Sequence, residues 1–181
     1  MHSLAAITPL GEAEPHVETW GEITVTEITD RAIASVTARA AGDFAARAGF
    51  LGDLPGPGQW RAGAPFDLIW TGPDQWFVTA AYDSHPDLAT VLKTALGDSA
   101  SVTEQTDGWV RFDVTGEVVD MMERLCPLPV RRMTPGQATR SIVEHIGCLV
   151  IRSESGFALM APRSYAASLL HALRAAAIAV A

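Results

Sequence analysis

Gly108-Trp-Val-Arg-Phe-Asp-Val-Thr-Gly-Glu-Val-Val-Asp-Met-Met-Glu-Arg-Leu-Cys-Pro-Leu-Pro-Val130 changes its hydrophobic period half-way along. Val110, Phe112 and Val114 alternate with Arg111 and Asp113, the spacing of a strand with one buried face. Thr115 and Gly116 end the alternation. Val118, Met122 and Leu125 then recur at helical spacing with Val119 and Cys126 beside them, and Asp120, Glu123 and Arg124 take the opposite face. Pro127 stops the helix, because proline lacks an amide donor and disfavours helical geometry in the residue before it. The stretch predicts a strand feeding directly into a short amphipathic helix.

The flanking sequence predicts more strands and three further helices. Residues 23–28 are β-branched and alternate, and residues 32–38 read as a second strand. After Gly42 comes a short helical stripe of Phe44, Ala48 and Leu51, then a loop over 52–65 with three prolines and four glycines. Phe66, Leu68 and Trp70 alternate with Asp67, Ile69 and Thr71. Gly72-Pro73-Asp74 turns the chain into a returning strand over 76–81. A helix opens at Pro86, carries Leu88, Val91, Leu92, Ala95 and Leu96 on one face, and is capped by Gly97. Beyond the proline- and arginine-rich loop 127–136, residues 139–146 predict a strand, and 148–152 and 156–161 a hairpin. A last helix from near Pro162 buries Ala166, Leu169, Leu170, Leu173 and Ala177. Residues 1–22, with Pro9, Gly11 and Pro15, show no sustained period; they read as an N-terminal arm, either flexible or, given Trp20, wrapped on a partner.

Landmarks recur 78 positions apart: Pro57-Gly-Gln59 with Pro135-Gly-Gln137, and Leu92 with Leu170. Each half reads strand, short helix, loop, hairpin, longer helix. The expectation is an α+β fold, a single domain over 23–181 made of two pseudo-repeated halves at about 31–98 and 109–177, unless the landmarks coincide by accident. Antiparallel strands carry helices on one side.

The chain has 181 residues, 48% of them hydrophobic, and a formal net charge of −8. That charge argues against nucleic acid and anionic lipid as partners, since both need a basic surface. Of the 13 basic residues only Lys93 is a lysine, a compositional bias. Met1-His-Ser-Leu-Ala-Ala-Ile lacks the pattern of a signal peptide, and no apolar run approaches the ~20 residues that span a bilayer, so a cytoplasmic protein is expected. Cys126 and Cys148 lie among apolar residues and are expected to be reduced.

Motifs that carry chemistry are missing: no glycine-rich dinucleotide or phosphate loop, no Gly-x-Ser-x-Gly, no Cys-x-x-Cys, no His-x-x-x-His. No catalytic, cofactor-binding or metal-binding residue is therefore assigned. His2, His16, His85, His145 (placed in a strand beside Ser141 and Val143) and His171 read as surface or structural histidines. Glu117, Asp120 and Glu123 read as a solvated helix face, or else as an interface for a basic partner. Trp70 and Trp76 flank a turn and pack either in the core or on a partner, a typical use of tryptophan. Arg163, at the first turn of the last helix, opposes the macrodipole there. It either swings free or contacts an acidic neighbour, in this chain or another.

Trp70-Thr-Gly-Pro-Asp-Gln-Trp-Phe-Val78, Val110-Arg-Phe-Asp-Val-Thr-Gly116, Leu125-Cys-Pro-Leu128, Gly136-Gln-Ala-Thr139 and Ala161-Pro-Arg-Ser-Tyr-Ala-Ala-Ser-Leu169 together, over roughly residues 30–175, resemble the gamma subunit of heterotetrameric sarcosine oxidase. That family commonly has an aspartate after its Cys-Pro element, where this chain has Leu128-Pro-Val130. The resemblance implies a duplicated α+β fold like the folate-binding domain of the glycine-cleavage aminomethyltransferase. It implies a non-catalytic subunit partnered by alpha, beta and delta subunits, whose complex demethylates sarcosine to glycine and passes the one-carbon unit to tetrahydrofolate. FAD, FMN and NAD are expected in the partner subunits and none in this chain. The alternative is a free-standing folate-binding or one-carbon-transferase-like protein.

Overall fold

The computed structural model describes residues 6–40 and 42–181. His2 lies outside them. In chain order the elements begin with β1 (Val17–Trp20), β2 (Ile23–Ile28), β3 (Arg31–Ala38), α1 (Phe44–Arg47) and β4 (Trp60–Arg61). They continue with β5 (Asp67–Gly72), β6 (Gln75–Ala81), α2 (Leu88–Leu96), β7 (Ala100–Glu104), β8 (Trp109–Thr115) and α3 (Val119–Leu125). Last come β9 (Ala138–Val143), β10 (Ile146–Arg152), β11 (Gly156–Pro162) and α4 (Ala166–Ile178). Two compact units form. Of the described residues, the first holds 6–29, 107–135 and 140–181; the second holds 30–40, 42–106 and 136–139.

The first unit is built on a sheet of order β1-β2-β8-β11-β10-β9. Strand β8 and helix α3 follow the period change in the sequence. Val110, Phe112 and Val114 are buried on one face, and Val118, Met121, Met122 and Leu125 bury the helix against the same core. Between them Gly116 has φ +96°, and a Cβ there would stand 1.7 Å from the Glu22 carbonyl oxygen, so glycine is required on two counts. Helix α4 closes the core with Ala166, Leu169, Leu170, Leu173 and Ala177, the stripe read from the sequence.

The second unit's sheet has the order β4-β5-β6-β3-β7. Ala32, Ala34 and Val36 of β3, Leu68 of β5 and Val78 and Ala80 of β6 face Leu88, Leu92 and Leu96 of α2. Val91 is 44% exposed, so the buried stripe of α2 is narrower than its sequence suggests: a single i, i+4 row.

The two halves share one plan. The order β3-β6-β5-β4 in one sheet is matched by β8-β11-β10-β9 in the other, with α1 and α3, then α2 and α4, at the same points of the chain. The fold is thus α+β with duplicated antiparallel halves. The place beside the first strand is filled differently: β7 pairs with β3, while β2 pairs with β8.

Several elements differ from the sequence expectation. Residues 17–20, read as part of an aperiodic arm, form β1 and pair with β2 through a two-residue turn. Upstream, the buried Glu27 carboxylate accepts hydrogen bonds from the amides of Leu10 (3.2 Å) and His16 (3.1 Å). This segment is held by tertiary contacts, which no local period reports. Strand β7 went unread because Ala100-Ser-Val-Thr-Glu104 is short and weakly apolar. Ile69, expected on the face opposite Leu68, is equally buried, and β10 and β11 are buried along nearly their whole length. Strands buried on both faces lose the period-2 signal.

Candidate functional site

The strand expected over 139–146 stops at Val143 and restarts at Ile146. Glu144 and His145 form the two-residue connection, with φ of +45° and +72°. Two positive φ values in a two-residue hairpin are the mark of a type I′ turn, which Asn-Gly or Asp-Gly normally fills. His145 is therefore not a strand residue; neither turn residue carries the glycine that would have announced the turn. The Glu144 amide donates to the Leu125 carbonyl (3.3 Å), which ties the turn to the end of α3.

Between this turn, the end of α3 and the outer side of α4 lies a cavity of about 630 Å³. Arg124, Glu144, His145, Tyr165, Ser168 and His171 supply its polar groups. Ile146 and the small side chains Ala172 and Ala176 form its apolar floor, because alanine at these helix positions leaves space where a longer side chain would fill it. The six polar side chains make no hydrogen bond or ion pair among the described residues. One guanidinium, one carboxylate, two imidazoles, a phenol and a hydroxyl are thus presented to solvent at one place. His145 and His171 looked unrelated in the sequence, one in a strand and one in a helix; the turn brings both to this cavity.

A second cavity, about 610 Å³, lies in the other unit among Arg39, Asp43, Arg47, Asp98 and Ser99. Its charges are largely engaged. Arg39 Nε donates to Ser101 Oγ (3.0 Å), and Asp43 accepts from the Ala46 amide (3.1 Å) as the N-cap of α1. Asp98 stands 3.8 Å from Lys93, and the Ser99 hydroxyl donates to the Leu96 carbonyl (2.7 Å). The first cavity is the better candidate because its polar groups are uncommitted.

The remaining sequence candidates, the exposed Glu117 aside, have structural employment. His16 lies between Glu12 (3.6 Å) and Glu18 (3.2 Å). His85 packs edge-on against Phe66, ring centroids 5.4 Å apart. Asp120 and Glu123 both bind Arg131 of the same chain, and Glu123, then Asp120, push that guanidinium's pKa further up. Trp76 is buried, stacks on Phe44 at 5.5 Å and donates its indole N–H to the Pro55 carbonyl (2.9 Å), so it is a core residue. Trp70 is its cross-strand neighbour. Arg163 stands in a short 3₁₀ turn that leads into α4. Its guanidinium donates to the carbonyls of Ile7 (3.2 Å) and Thr8 (3.1 Å) and approaches Asp107 (3.4 Å).

Cys126 and Cys148 are both buried and free. Burial pushes both thiols up, Cys148 to about 12 with the neighbouring Cys126 adding to the shift. Thiols held protonated in this way are poor nucleophiles and poor metal ligands. Among the described residues no group of three or more His, Cys, Asp or Glu is placed to hold a metal ion, and no helix is long and apolar enough to cross a membrane.

No protein-family model matches the sequence, and neither does any curated protein. Solved structures do match. A chain of the heterotetrameric sarcosine oxidase from Corynebacterium sp. U-96, in complex with pyrrole 2-carboxylate, superposes with a TM-score of 0.78 at 22% identity, covering 91% of this chain and 90% of that one. The chain has a sarcosine-oxidase-like fold. The glycine cleavage system aminomethyltransferase T from Bartonella henselae shares the fold more distantly, with a TM-score of 0.64 at 17% identity. The match covers 94% of this chain but 57% of the aminomethyltransferase, so the chain spans a little over half of that protein. At these identities the likeness is one of fold.

Proposed function

We propose that this chain is the small, non-catalytic gamma subunit of a heterotetrameric sarcosine oxidase, a cytoplasmic complex with alpha, beta and delta subunits. The observation that carries the reading is the closeness of the fold to the two structures. The sarcosine oxidase chain superposes with a TM-score of 0.78, against 0.64 for the aminomethyltransferase. In the proposed complex the larger subunits carry FAD, FMN and NAD, and tetrahydrofolate is the co-substrate that takes up the one-carbon unit. Oxidative demethylation of an amine needs a hydride acceptor, which protein side chains do not provide, so the chemistry belongs to the flavin-bearing partners.

The test is co-expression with the alpha, beta and delta subunits, followed by purification on a tag carried by this chain. The expected product is a yellow four-component complex whose flavin bleaches on anaerobic addition of sarcosine, while the chain purified alone is colourless and inert. A chain that stays alone, yet transfers a one-carbon unit to tetrahydrofolate from an aminomethyl donor, overturns this reading in favour of a one-carbon-transferase-like protein.

A further inference from the structure

We infer that the cavity lined by Arg124 and Glu144 binds a small amino acid in its zwitterionic form. The charge pattern selects this class. A guanidinium and a carboxylate line the same cavity, and neither is neutralised by the other or by any further group among the described residues. A simple anion seated on Arg124 would leave the Glu144 carboxylate without a counter-charge, and a simple cation on Glu144 would leave the guanidinium without one. A ligand with a carboxylate at one end and an ammonium at the other satisfies both. The planar guanidinium offers a two-point match to a carboxylate, and the carboxylate accepts N–H bonds from an ammonium.

The other lining groups suit the same ligand. The hydroxyls of Tyr165 and Ser168 are able both to donate and to accept hydrogen bonds, as are the neutral imidazoles of His145 and His171. The apolar floor of Ile146, Ala172 and Ala176 accommodates the methylene carbons between the two charges. A volume of about 630 Å³ leaves room for more than the smallest amino acid.

Backbone geometry points the same way. Glu144 and His145 occupy the left-handed region, at a conformational cost for residues with a Cβ. Asn-Gly would adopt the same turn without that cost but would remove both side chains from the cavity. The turn gives up stability and keeps a carboxylate and an imidazole there.

The inference concerns this chain by itself and does not depend on its membership of a complex. The experiment is calorimetric titration of the full chain with glycine, β-alanine and γ-aminobutyrate, whose charges are increasingly separated, and with acetate and methylammonium as half-ligands. At least one amino acid is expected to bind about tenfold more tightly than either half-ligand, a difference of about 1.4 kcal/mol. Arg124→Gln and Glu144→Gln, both at exposed positions, should each weaken it about tenfold without changing the melting temperature. The double substitution Glu144→Asn with His145→Gly should raise the melting temperature and abolish binding, an outcome that a purely structural turn does not produce. The inference is overturned if no amino acid binds, if acetate binds as tightly as the best of them, or if the variants bind unchanged.

Discussion

Gln59 and Gln137 face each other in an antiparallel bridge. Each ends a Pro-Gly-Gln tripeptide, and the two tripeptides occupy the same place in the two halves, so equivalent positions of the repeat meet one another. The Ala138 amide donates to the Gly58 carbonyl (2.9 Å), and the Trp60 amide donates to the Gly136 carbonyl (2.8 Å). Gly58 and Gly136 both hold positive φ, +74° and +91°. A Cβ on Gly136 would meet its nearest atom, the Trp60 carbonyl oxygen, at 3.8 Å, so alanine there is penalised for conformation and not for crowding. Gly58→Ala and Gly136→Ala are each expected to cost about 1–3 kcal/mol. Urea unfolding midpoints unchanged by both substitutions would remove the strain argument.

Glu27 is a buried carboxylate whose acceptors serve a segment far from it in sequence. Glu27→Ala leaves the amides of Leu10 and His16 without that partner, at a cost of about 1–3 kcal/mol. Arg163→Glu removes the donors to Ile7 and Thr8 from the same segment. Both variants are expected to be cleaved faster than the parent within residues 8–16 under limited proteolysis. Cleavage maps identical to the parent's would mean the segment is held by something else.

The thiols set an alkaline limit. Burial raises Cys148 from an ordinary value of 9.0 to about 12. Because the folded value is the higher one, the protonated thiol's contribution is complete below pH 9 and disappears as pH rises from there towards 12. Native protein should resist iodoacetamide at pH 8, while both cysteines react in urea. Stability measured between pH 9 and 12 should fall less steeply in Cys148→Ala than in the parent; equal slopes would refute the assignment.

Glu18 sets an acidic limit. Arg174, which donates to Glu18 Oε2 from Nε (3.0 Å) and from a terminal nitrogen (2.7 Å), holds the carboxyl below its ordinary 4.5 against an opposing desolvation, and His16 adds to the lowering. A depressed folded value means the contact contributes above about pH 4.5 and is lost as pH falls through the lower folded value. Arg174→Gln should move the Glu18 titration, followed by carboxyl NMR, up towards the ordinary value. An unchanged titration curve in the variant would show that Arg174 is not the cause.

Local signals in the sequence determined the elements whose packing is one-sided. Val110, Phe112 and Val114 alternate because β8 has one apolar face, and the spacing of Leu169, Leu170 and Leu173 reports the single buried face of α4. The two Pro-Gly-Gln tripeptides exposed the duplication, since both halves make the same turn there. Tertiary structure alone decided the rest. Val17–Trp20 is a strand because β2 offers it an open edge. Ile69 is buried because both faces of its strand are covered. Arg163 serves the carbonyls of Ile7 and Thr8, residues more than 150 positions away. The candidate site belongs to this second group. Glu144 and His145 contain no turn-forming glycine or asparagine, so only pairing of β9 with β10 forces them into the left-handed region. That forced turn carries His145 to the cavity beside His171 and Arg124, a meeting of three chain segments that no periodicity along one segment encodes.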